Sequence, residues 1–82
     1  MSVLYAVFLH FSERTLEENV VDRVRKAPDA WTHTLADAVE VARATPGIEG
    51  ATIWERDVLV AIWTSGQTDR GVAHYLHGRA PS

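Results

Sequence analysis

The run "SVLYAVFLHF" at residues 2–11 places the tightest limit on what this chain can fold into. It is β-branched and aromatic and shows no helical stripe. Val3, Tyr5, Val7, Leu9 and Phe11 alternate with Leu4, Ala6, Phe8 and His10. Side chains along a strand point to opposite faces in turn, and here both sets are apolar apart from His10. The pattern predicts a central strand covered on both sides. The rest of the chain must supply that cover. The run lacks a basic leader and a small-residue cleavage site, and His10 interrupts it, so it does not read as a signal sequence. It also falls well short of the ~20 apolar residues of a membrane span. The expectation is a cytoplasmic protein with no membrane partner.

Two helices are expected next. In "SERTLEENVVDRVRKAP", Thr15 and Glu18 fit a capping box. Leu16, Val20, Val21 and Val24 form one stripe. Acids lie early and bases late, as the helix dipole favours, and Pro28 ends the segment. "DAWTH" reads as a connector. The second helix starts at Thr34 as cap with Asp37 three residues on. Its stripe is Leu35, Ala38, Val39 and Ala42, and "TPG" at 45–47 stops it. A hairpin follows, roughly 51–56 and 58–64. A short third helix is expected in "TDRGVAHYLHG", and the tail "RAPS" is expected to fray. The fold class predicted is α+β, a three-stranded antiparallel sheet with three helices in the order β-α-α-β-β-α. From the second helix through "PGIEG" into the hairpin, this order resembles the helix–hairpin half of ferredoxin-like domains, without their fourth strand. That resemblance concerns fold alone.

The hairpin "ATIWERDVLVAIW" holds two of the three tryptophans. If Arg56 and Asp57 make a two-residue turn, Thr52, Trp54, Leu59, Ala61 and Trp63 share one face. Ala51, Ile53, Val58, Val60 and Ile62 share the other. A one-residue slip would divide the tryptophans between faces. The third helix is too short to cover a whole sheet face, so an apolar surface bearing Trp54 and Trp63 is expected to remain. Such surfaces mark interfaces or ligand clefts, and tryptophan is enriched at binding hot spots.

Eighty-two residues make one domain, 1–82. There is no cysteine, which excludes disulfides, thiol nucleophiles and thiolate metal sites. Eight basic against eleven acidic residues give a net charge of −3, which argues against nucleic acid as a partner. His74 and His77 at i, i+3 lack a carboxylate to complete a metal site. Glu17, Glu18 and Asp22 read as a solvated helix flank, paired as Arg14–Glu18 and Asp22–Lys26. "TSGQTDRG" matches no phosphate-binding loop. No catalytic residue, metal or cofactor is assigned.

The function expected is a small acidic non-catalytic protein-binding module: an inhibitor, adaptor or accessory protein, phage-type inhibitors among them. Its partner-binding residues are Trp54, Trp63, Leu59, Phe8, Glu17, Glu18, Arg56 and Asp57. A homodimer is compatible with this, since an isologous pair would hide the aromatic face. The alternative is a small dimeric enzyme or ligand-binding protein resembling the α+β-barrel monooxygenases. In that reading His10, Trp54 and Trp63 line a hydrophobic cleft.

Overall fold

The computed structural model describes residues 3–12, 18, 21, 24–66 and 71–80. Among these, the elements are β1 (Tyr5–His10), β2 (Ala30–Thr32), α1 (Leu35–Ala44), β3 (Gly50–Glu55), β4 (Val58–Thr64) and β5 (Val72–Tyr75). The strands form one five-stranded sheet in the order β2-β1-β3-β4-β5. Every neighbouring pair is antiparallel. This overturns the expected three-stranded sheet with three helices. Most of the segment expected as the first helix lies outside the described residues.

Two segments read as connector and helix are strands instead. In "VAHY" the spacing of Val72, Tyr75 and Leu76 suits a helix, while Ala73 and Tyr75 alternate as a strand requires. Four residues cannot separate the two periods. The edge of β4 decides, because its backbone groups need partners. β5 supplies them, with Ala61 opposite Tyr75 and Thr64 opposite Val72. The exposed edge of β1 recruits "AWT" in the same way, with Ala6 opposite Trp31.

α1 starts as the sequence predicts. The Thr34 hydroxyl accepts the Asp37 N–H at 3.0 Å, a side-chain cap for a donor the helix cannot pair. Leu35, Ala38 and Ala42 are buried, and Val39 is half-buried. Two alanines on that face let the helix lie close against β1, β2 and β3. Its core partners are Val7, Ala51, Ile53, Val60, Ala61 and Trp63.

The opposite sheet face carries a second cluster, Ala6, Phe8 and Trp54, with Leu59 packed against it. Trp31, Ala6, Trp54 and Leu59 run as one row across four strands. β1 is therefore apolar on both faces for the reason its sequence suggests.

The hairpin turn is Arg56–Asp57, but its register is not the regular one expected. Trp54 pairs with Leu59, whereas Ile53 pairs with Ala61, so Val60 is an extra residue, a β-bulge. The bulge turns Trp63 to the helix side and leaves Trp54 on the other. The two tryptophans do not share a face. Each fills its own cluster, 3% and 7% exposed respectively.

Within the tail expected to fray, Arg79 is tied down; Pro81 and Ser82 lie outside the described residues. The Arg79 N–H donates to the Leu76 carbonyl at 3.0 Å. Between them His77 and Gly78 lie at φ 57 and 70, as in a type I′ turn. The turn brings Arg79 back to Glu55, where two nitrogens meet two carboxylate oxygens at 2.7 and 2.9 Å.

Candidate functional site

Trp31 is the tryptophan that the core does not use. It is 59% exposed and stands on the three-residue edge strand β2. Beside it lies a cleft of about 220 Å³ lined by Ala6, Phe8, Lys26, Pro28, Trp31 and Arg56. Four sequence segments build it. β1 contributes Ala6 and Phe8 as an apolar floor. Pro28 and Trp31 make an apolar wall, and two cations stand at its edges.

Local chemistry fixes the wall. The Asp29 N–H donates to the Val7 carbonyl at 2.8 Å. One oxygen of the Asp29 carboxylate accepts the Leu9 N–H, also at 2.8 Å. The segment between Pro28 and Trp31 is thereby pinned to β1. The same carboxylate oxygen meets the Lys26 ammonium at 3.4 Å, with both side chains more than a third exposed. So open a pair adds little stability, but it keeps Lys26 beside the cleft. Lys26 thus pairs forward with Asp29; the expected Asp22–Lys26 and Arg14–Glu18 pairs fall on residues outside the description.

Arg56 reaches the cleft from the hairpin turn. Its φ is 56, in the left-handed region that favours glycine. Glu55 pairs with Tyr5 across β3 and β1, so the turn sits at the end of β1 nearest Ala6. Among the described lining residues there is no carboxylate, imidazole or hydroxyl to move a proton. This lining offers apolar area, one indole N–H and two cations.

A second polar cluster joins Glu55, Arg79 and Tyr5. The Arg79 guanidinium, by hydrogen bond and charge, holds the Glu55 carboxyl below its usual range, and Tyr5 adds to this. Glu55 raises Arg79 in return. This bidentate pair clasps Arg79 to the sheet.

The other expected site residues are dispersed. Trp54 is buried, and its indole N–H donates to the Thr52 hydroxyl at 3.0 Å. Trp63 is buried on the opposite face, so His10, Trp54 and Trp63 do not line one cleft. His10 is buried at the end of β1. Leu59 is half-buried; Glu18, Arg56 and Asp57 are exposed; Glu17 lies outside the described residues. Of the expected partner-binding set, Phe8 and Arg56 meet at the cleft. Trp31 is the residue that sequence reasoning missed. Its signal was a tryptophan among polar neighbours that belongs to no periodic stripe.

His74 lies on β5 and His77 in the turn after it, so the helical i, i+3 pair does not form. Among the described residues no group of three histidines or carboxylates could hold a metal. No described helix is long and apolar enough to cross a membrane. No protein-family model, curated protein or solved structure compared with this chain gives a match.

Proposed function

We propose that this chain is a small non-catalytic protein-binding module of the cytoplasm, and that it meets its partner at the Trp31 cleft. The observation that carries the reading is the exposure of Trp31 beside an apolar floor. A large aromatic left in water on a short edge strand gives the isolated chain little stability. Buried in a complex, the same side chain brings large area and an N–H donor. Lys26 and Arg56 at the cleft would help to orient a partner, and the apolar floor would supply affinity.

The aromatic surface in this reading differs from the one built on Trp54 and Trp63, which are committed to the core. The test compares the chain with its Trp31→Ala variant as baits in extracts of the source cells. The expected result is a protein retained by the native chain and lost with the variant. Equal recovery by both baits would overturn the reading. Trp31 contributes little to the core, so the variant should keep the native circular dichroism.

A further inference from the structure

What docks beside Trp31 is set by the backbone of β2. Val7 turns its carbonyl toward β2, where the Asp29 N–H donates to it, and Leu9 turns its N–H the same way, to the Asp29 carboxylate. His10 turns its carbonyl to the other side, onto the Glu49 N–H. This alternation leaves the backbone groups of Ala6 facing β3. Trp31 lies opposite Ala6, so it points its own N–H and C=O away from β1. β2 ends the sheet, and no described strand pairs with that outer edge. A backbone donor and acceptor displayed together there suit an added extended strand. The other edge strand, β5, exposes no aromatic: Ala73 and Tyr75 pack toward the helix-side core.

We propose that the added strand is β2 of a second copy, paired antiparallel across a two-fold axis at Trp31, an inference that rests on the protein-binding reading above. The segment "DAWTH" at 29–33 is complementary to itself about its centre. Paired with its copy, it sets Trp31 opposite Trp31, Ala30 opposite Thr32 and Asp29 opposite His33. Asp29, Trp31 and His33 are exposed, while Ala30 and Thr32 turn inward, so the matching residues share the outward face. The two indoles then cover each other. Lys26 and the Leu9 N–H meet one oxygen of Asp29, and its other oxygen has no partner among the described residues. An imidazole N–H of the copy can donate to that oxygen whether the ring is neutral or protonated, so the match needs no local excess of charge. Symmetry makes every contact twice. A shift by two residues sets both indoles opposite Asp29, or both opposite His33, and separates them. β2 spans only three residues, so the contact belongs with the transient interfaces below about 1,200 Å². Its Kd should be on the order of 100 µM, which leaves Trp31 in water at low micromolar concentration.

The test is sedimentation equilibrium of the full chain from about 10 µM to about 2 mM, a range that brackets this Kd. The Trp31 amide and indole resonances are followed over the same dilution series. The mean mass should rise from one chain toward two, and the Trp31 resonances should move with it. Trp31→Ala should weaken association by at least about tenfold. His33→Asp sets acid against Asp29 and should weaken it by about tenfold, whereas His33→Arg should keep it. Both changes fall on an exposed residue and should leave the circular dichroism native. A dimer indifferent to Trp31→Ala or to His33→Asp is not paired through β2 and would overturn the inference. A monomer across the whole range would overturn it too, while the bait comparison would still decide the wider reading.

Discussion

Gly71 has no space for a side chain. A Cβ there would stand 2.4 Å from both the Thr64 carbonyl oxygen and the Trp63 ring, and its φ of +67 is costly for any other residue. Gly71→Ala should therefore lower stability by about 3 kcal/mol, from overpacking and backbone strain together. Gly78→Ala is the control: φ is again positive at +70, but nothing lies within 4 Å. It should cost only about 1 kcal/mol. Urea unfolding of the two variants measures the difference, which isolates the packing against Trp63. The Glu55–Arg79 pair makes a separate prediction. Its carboxyl is depressed in the folded state, mainly by Arg79. A depressed carboxyl stabilises above its unfolded pKa, and the contribution fades as pH falls through the folded value. Native chain and Glu55→Gln should differ at neutral pH and converge in acid. A gap that persists or widens in acid would show that the pair is not the source. Both side chains are partly exposed, 22% and 34%, so the effect should be small.

The bulge at Val60 decides which way half of the hairpin faces. Deleting Val60 would make the register regular and keep Ile53 opposite Ala61 and Ala51 opposite Trp63, so residues 61–64 would hold their faces. What is lost is the Val60 side chain, fully buried in the helix-side core, which should cost about 1.5–3 kcal/mol. The deletion should keep the near-ultraviolet tryptophan signal and cooperative unfolding at lower stability. Loss of both would show that the facing of Trp63 is not set by this register. A bulge leaves no mark in alternation counted along one strand, because its residues look regular until a partner strand is laid beside them. That is why the two strands and the Arg56–Asp57 turn were legible in the sequence while the facing of Trp63 was not. β1 and α1 were legible for the opposite reason: each has a pattern long enough to exclude the other period. β2 and β5 span three and four residues, too few for a period to declare itself, and they form because sheet edges need partners. The candidate site shares this limit. Phe8 and Arg56 were among the expected interface residues, but the strand that brings Trp31 to them could not be read.

Taken whole, the molecule gives its three tryptophans different work. Trp63 packs under α1, Trp54 fills the opposite cluster with its N–H on Thr52, and Trp31 faces water beside the cleft. The sheet provides the reason. Five strands give each hairpin tryptophan a face to fill, while the short edge strand leaves its own tryptophan uncovered. The binding proposal depends on that division, since a surface anchor must be accessible in the chain before its partner arrives. Acrylamide quenching of tryptophan emission, on native chain and on Trp31→Phe, tests it most directly. The native chain should show one readily quenched component and two sheltered ones. Trp31→Phe should remove the quenched, red-shifted component and leave the blue-shifted emission intact. If quenching is unchanged in the variant, or if the accessible component disappears instead with Trp54→Phe, then Trp31 is not the exposed tryptophan and the proposed docking surface is wrong.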